Sequence, residues 1–196
     1  MYTVIGPITT RAFRVLWMLE ELGQPYEHRK TGPRSPETLK HNPAGKVPVM
    51  LEGDVALTDS VAIMQYLADK HGAFTHPCGT LARARQDGFT QFINDELDAV
   101  LWTAARHSFI LPEDRRVPEV KPPLKWEFAR SVDELMRRMG DGPFLMGEEM
   151  TLPDILAAHC GNWAYAAKFP LENDAFNAYV KRMRDRPAYD RVRNLD

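Results

Sequence analysis

Two of the places in this 196-residue chain where hydroxyl or carboxylate side chains stand at a helix start lie on either side of a proline-marked strand. The first is Thr9-Thr10, which follows Gly6-Pro7-Ile8 and precedes an apolar-periodic run. The second is Asp59-Ser60, ahead of Ile63, Met64 and Leu67. A helix N-terminus presents free N–H groups and partial positive charge, which suits a bound carboxylate. Asp, Ser and Thr at such positions also cap the helix, one of their commonest duties. Between the two lies Asn42-Pro43-Ala44-Gly45-Lys46-Val47-Pro48-Val49-Met50. Pro43 and Gly45 punctuate a turn. Val47, Val49 and Leu51 then alternate as a short strand. Pro48 inside that strand pattern marks an edge, a bulge or a special turn.

The elements that position these residues follow from the pattern. Residues 2–6 read as a strand and 7–10 as a loop. Residues 11–22 carry Ala12, Val15, Leu16, Leu19 and Leu22 on one helical stripe, closed by Gly23 and Pro25. Residues 26–30 read as a second strand. Ser35-Pro36 opens a short helix to His41, with the proline at the first helical position. The strand through Val47, a Gly53-Asp54 hairpin, a strand over 55–57 and a helix closed by Gly72 complete the order βαβαββα. That order is thioredoxin-like, with a mixed four-stranded sheet.

Everything beyond reads helical. The expected division is a first domain at 1–73, a linker at 74–80 and an all-α domain at 81–196. Residues 81–110 form one long segment or a kinked pair; four prolines interrupt 111–123; a helix spans 124–139. Thr151-Leu152-Pro153-Asp154 is a capping box, with Met150 and Ile155 placed as a hydrophobic staple. The core helix of this half follows over 156–167, and a last helix over 174–186 stops at Pro187.

Composition narrows the function. A net charge of −2 gives no electrostatic footprint for nucleic acid. No apolar run approaches the roughly 20 residues of a membrane helix. No basic segment or signal core precedes the first strand, so the cytoplasm is the expected compartment. Cys78 and Cys160 form no C-x-x-C, and a reducing compartment disfavours a disulfide between them. His71, His76 and Cys78 lie close together, but their spacing matches no metal site.

The stretch N-P-x-G-x-V-P, followed about a dozen residues later by an acid-Ser pair opening a helix, resembles the glutathione-binding domain of the glutathione transferases. Gly6 to Thr10 with Arg14-Val15-Leu16 and Leu19-Glu20-Glu21-Leu22-Gly23 is similar to the first loop and helix of phi-like and related bacterial members. The Thr151 capping box resembles that of the family's helical domain, where it serves folding. The resemblance spans essentially the whole chain.

It implies a glutathione transferase. The Val47-Pro48 peptide is expected to be cis, with Val47 backbone groups pairing with the cysteinyl part of glutathione. Asp59 and Ser60 are expected to hold its γ-glutamyl end, Asp59 accepting from the ammonium and Ser60 donating to the carboxylate. The glycine carboxylate falls to Lys46 first and Arg34 second, with Lys40 and His41 as further cations. Thr9, where most relatives carry serine, or Thr10 is expected to donate to the sulfur. A free thiol has a pKa near 8.5, so a hydroxyl donor and a nearby helix N-terminus favour the thiolate. Threonine keeps serine's donor, but its methyl stiffens χ1. The thiolate then adds to a small hydrophobic electrophile held by the helical domain, without a metal.

Trp102, His107, Phe109, Trp163 and Tyr165 are aromatic liners for such a pocket, or core residues at helical spacing. The resemblance further implies a homodimer and a detoxifying role. Glutathione-dependent peroxidase or isomerase activity would use the same residues, although the loop lacks the S-S-C pattern of maleylacetoacetate isomerases and any cysteine. The alternative of another class is a non-catalytic module of the same fold that binds ligands or a protein.

Overall fold

A computed structural model describes residues 1–195, which fall into two compact units. The first joins residues 1–75 with the stretch from Arg184 onward; the second is His76–Met183. This departs from the expected division at one end: the final stretch belongs with the first unit, not with the helical one.

In the first unit the order is β1 (Tyr2–Ile5), α1 (Ala12–Glu21), β2 (Tyr26–Arg29), α2 (Pro36–His41), β3 (Val49–Glu52), β4 (Val55–Thr58) and α3 (Ser60–His71). The sheet runs β2-β1-β3-β4. β1 pairs parallel with β2 and antiparallel with β3, and β3 pairs antiparallel with β4. The expected mixed four-stranded sheet is therefore present. Val4, Ile5, Val49 and Met50 from the sheet, Val15, Leu16 and Leu19 from α1, and Ile63, Met64 and Leu67 from α3 are fully buried and form the core.

β3 starts at Val49, two residues later than the alternation predicts. The Val47-Pro48 peptide bond is cis. Pro48 has no N–H to give a ladder, so the paired register begins beyond it.

α1 is buried all round. Phe13, Arg14, Trp17 and Met18 are covered along with the expected stripe. The cover on the added face includes a helix that the sequence pattern does not predict, α9 (Pro187–Arg193). Pro187 does not simply stop the preceding helix, as the pattern suggests, but starts a new one. A proline at the first helical position gives up an N–H that has no partner there in any case. Tyr189 packs its ring against Phe13 and Trp17, at centroid distances of 5.1 and 5.0 Å. Arg186 forms a bidentate pair with Glu21, at 2.6 and 2.8 Å. Arg191 pairs with Glu20, which also accepts from the Tyr26 hydroxyl at 2.7 Å.

In the second unit, α4 (Leu81–Ile93) and α5 (Ala99–Ala105) are each followed by one wider π turn, giving a continuous helical run over 81–110. α6 (Lys121–Met139) begins three residues ahead of its expected start. Pro122 and Pro123 fall in its first turn, where an N–H has no helical partner to lose. α7 (Leu152–Ala166) and α8 (Asp174–Arg184) follow.

α7 is the core helix of this unit, with Leu152 to Ala158 buried without a break. The Thr151–Asp154 capping box is formed. Asp154 Oδ2 accepts from the Thr151 N–H at 2.8 Å, while Oδ1 accepts from the Leu145 N–H and the Tyr179 hydroxyl, both at 2.9 Å. Met150 and Ile155, the staple positions, are buried.

Candidate functional site

The site is built on three short stretches of the first unit. The first is the turn before α1. Thr10 donates its hydroxyl proton to the Pro7 carbonyl at 2.7 Å and accepts from the Ala12 N–H at 3.2 Å. Its proton is thus committed to the turn. Thr9 is exposed, and its hydroxyl makes no hydrogen bond among the described residues. The two threonines that the sequence leaves as alternatives are distinct in the structure: one shapes the loop and one faces outward.

The second stretch runs from Arg34 to Pro48. Asn42 organises the turn, accepting from the Ala44 N–H at 3.1 Å and donating from its side-chain amide to the Lys46 carbonyl at 2.9 Å. The Arg34 N–H donates to the Gly45 carbonyl at 2.8 Å, which brings Arg34 beside Lys46. Gly45 is needed there: its φ is +65°, and a Cβ would stand 3.0 Å from the Arg34 side chain. Arg34, Lys40 and Lys46 are exposed and His41 is half-buried. Val47 lies outside the sheet's paired register and Pro48 is buried. Val47 is drawn against the first loop. A Cβ added at Gly6 would meet Val47 Cβ at 3.0 Å and Ala12 Cβ at 2.9 Å. The absent side chain of Gly6 is what lets the Thr9 loop and the Val47 strand touch.

The third stretch is the start of α3. Asp59 is its N-cap, and Oδ1 accepts from the Val61 and Ala62 N–H groups at 2.9 and 3.2 Å. The Ile63 N–H donates to the Asp59 carbonyl. Among the described residues this leaves the Ser60 N–H as the first-turn donor that neither cap nor helix uses. Asp59 is exposed and holds φ +70° with ψ 123°, a region costly for any residue with a Cβ. Ser60 beside it is buried, and the Arg14 Nη1 donates to its Oγ at 3.4 Å. Because arginine only donates, the Ser60 proton is left to point elsewhere.

Residues 11–75 match the family model described as glutathione S-transferase, N-terminal domain. That span includes Arg34, Lys46, Val47, Pro48, Asp59 and Ser60. Glutathione S-transferase GstA of Escherichia coli O157:H7 is 30% identical over 150 residues, which cover 74% of this chain and 71% of GstA. The chain belongs to the glutathione S-transferase family. Two solved glutathione S-transferase family structures share the fold. One, from Methylococcus capsulatus, has a TM-score of 0.84 at 24% identity, covering 98% of this chain and 97% of its own. The other is the theta-class enzyme of Xanthomonas axonopodis pv. citri with glutathione bound. It has a TM-score of 0.80 at 23% identity, covering 100% of this chain and 98% of its own.

Arg14, which the sequence reading does not single out, is a direct neighbour of the candidate site through Ser60. A signal is available. Arg14 is the one charged residue within the run Ala12 to Leu19, and it is only 1% exposed. A charge inside a wholly apolar run has to serve a polar group, and here that group includes Ser60. The five aromatic positions left open between pocket and core are not among the fully buried residues. Trp102, His107 and Trp163 are half-buried, and Phe109 and Tyr165 are exposed; the buried aromatics of the second unit are Phe128, Phe169, Phe176 and Tyr179. Among the described residues no three His, Cys, Asp or Glu side chains come together as a metal-binding group, and no helix is long and apolar enough to cross a membrane.

Proposed function

We infer that the protein is a glutathione transferase that binds glutathione in its first unit, stabilises the thiolate and adds it to a small hydrophobic electrophile. The observation that carries this reading is the start of α3. One helix turn offers an exposed carboxylate with one oxygen unused by the cap, a spare N–H and a serine proton backed by a buried guanidinium. That set matches an α-amino acid end. Asp59 Oδ2 accepts from the ammonium, and the Ser60 N–H and hydroxyl donate to the carboxylate.

The backbone of Val47 pairs with the cysteinyl residue as an added strand would. Arg34 and Lys46 face the glycine carboxylate. Thr9 then lies at the sulfur, since Gly6 brings its loop against Val47. The Thr9 proton and the positive end of α1 lower the thiol's pKa. No protein nucleophile is needed, because glutathione supplies the sulfur. Family membership supports the cytoplasm, a homodimer and a detoxifying role as parts of the same proposal.

The test is a titration of bound glutathione by its thiolate ultraviolet absorbance in wild type, Thr9→Ala and Thr10→Val. The bound thiol is expected to ionise at least about one pH unit below the free value near 8.5 in wild type and Thr10→Val. Thr9→Ala is expected to return it toward that value. A bound thiol that stays protonated at neutral pH in wild type would instead leave a non-catalytic glutathione-binding module. A Thr9→Ala thiol that titrates as wild type removes Thr9 from the mechanism.

A further inference from the structure

We propose that α9 holds α1, and through it the Thr9 loop, in the position that thiol activation requires, so that Tyr189, Arg186 and Arg191 are positioning residues. The proposal rests on the reading that Thr9 meets the sulfur of glutathione.

The argument starts from the length of α1. Its ten residues make a rod of about 15 Å. The loop with Thr9 and Thr10 sits at one end, and Glu20 and Glu21 close the other. α9 grips both ends. Arg186 and Arg191 hold the last turn through Glu21 and Glu20. Tyr189 holds the first turn through Phe13, three residues beyond Thr10, and the middle through Trp17. Trp17 also donates its Nε1–H to Glu21 at 2.9 Å, so ring contacts and ion pairs form one connected cluster. Glu21 is only 7% exposed and Arg186 31%, so the pair is part-buried, and its bidentate geometry ties the two helices more firmly than a single-contact surface pair. On its opposite side, α1 is seated closely by Ala12 against Gly6.

A rod gripped in this way moves as a body. Loss of the α9 contacts frees it to tilt, and a tilt of about 4° moves the far end of a 15 Å rod by about 1 Å. A displacement of about 1 Å at a reacting centre costs on the order of 10²-fold in rate. The amino-acid end of glutathione is treated differently, because it is held at the start of α3. That start is linked to α1 by the Arg14 contact to Ser60, at 3.4 Å, whereas the Asp59 cap is made wholly within α3. Weakening α9 therefore uncouples binding from activation. Glutathione still binds, while its thiol ionises less readily.

The experiment uses the full chain with three variants: Tyr189→Ala, Tyr189→Phe, and Arg186→Gln combined with Arg191→Gln. Each is assayed for kcat and KM of glutathione with an activated aryl chloride, and for the ionisation of bound glutathione by ultraviolet absorbance. Tyr189→Ala and the double variant are expected to lose at least about tenfold in kcat. Their bound thiol is expected to titrate nearer the free value, while KM for glutathione stays within about twofold. Tyr189→Phe keeps the rings and is expected to behave as wild type.

The double variant leaves the aromatic cluster intact, so it reports even where Tyr189→Ala does not fold. A double variant that is folded, with kcat and thiol ionisation unchanged, overturns the proposal. So does a parallel loss of kcat and amplitude with an unchanged thiol titration, which marks simple unfolding. Thr9→Ala assayed alongside separates the two levels. If it leaves the thiol unaffected, the reading of Thr9 fails; if it acts while the α9 variants do not, only the role of α9 fails.

Discussion

The acids at the starts of α3 and α7 stand in opposite surroundings. At α7, Asp154 is buried and every donor around it is turned inward: two backbone N–H groups, the Thr151 hydroxyl and the Tyr179 hydroxyl. At α3, Asp59 is exposed, gives one oxygen to its cap and sits in a costly backbone conformation. A saturated cap stabilises the fold. On the function proposed above, a cap left partly open at a strained residue gives up stability to keep a binding surface ready.

The sharpest way to break the contrast is Asp154→Ala. The four-residue box alone predicts a loss of about 1 kcal/mol, the usual cost of a cap. The structure raises this to about 3–4 kcal/mol, because the Leu145 and Thr151 N–H groups are left buried with no acceptor and the Tyr179 hydroxyl keeps only the long contact of 3.4 Å to the carbonyl of residue 154. Urea unfolding measures it; a loss near 1 kcal/mol means those donors find water.

The next effect is pH dependence. Burial outweighs the donors and pushes the Asp154 carboxyl up to about 6. Its unfolded value is near 3.9, so the folded protein holds this proton more tightly. Stability from this group is present in full below about pH 4 and is lost as pH rises through 6, by about 2–3 kcal/mol. Glu134, held down to about 2 by Arg137 and Arg138, slopes the other way. The informative quantity is therefore the stability of wild type relative to Asp154→Asn, which cannot titrate at this position. That difference is expected to move in favour of wild type, by about the same 2–3 kcal/mol, between pH 7 and pH 4. A difference that stays constant over this range means the carboxyl is not held protonated by burial.

The smallest effects fall at the other helix. Asp59→Asn keeps the cap and the shape, and is expected to weaken glutathione binding by about 2 kcal/mol, since the ammonium loses a charged acceptor. Calorimetry checks it. Asp59→Gly is expected to bind no better while raising unfolding stability by up to about 1 kcal/mol, as glycine relieves the positive φ and caps nearly as well. A lower melting temperature for Asp59→Gly would end the claim that Asp59 is held under strain.

The same pair of helices shows what the sequence makes legible. Caps are local, so Ser35-Pro36, Asp59 and Thr151 with Asp154 stand out without any tertiary knowledge. Gly72 and Gly23 close their helices for the same reason. What the sequence hides depends on neighbours distant in the chain. Tyr179 joins Asp154 from 25 residues away, and no spacing announces it. Arg14 meets Ser60 from 46 residues away. Thr9 and Thr10 are equivalent by type, and only the Pro7 carbonyl tells them apart. Pro187, Pro122 and Pro123 read as breaks because proline has two positional meanings, and the flanking pattern does not choose between them.

The way the first unit is assembled from two stretches of chain carries a consequence for synthesis. Its first 75 residues leave the ribosome before the 108 residues of His76–Met183, and the residues that complete it come after those. At about 5–20 residues per second, the Phe13 and Trp17 face of α1 waits on the order of ten seconds for Tyr189. Throughout that interval the Phe13 and Trp17 face lacks the Tyr189 ring that packs on it in the finished fold.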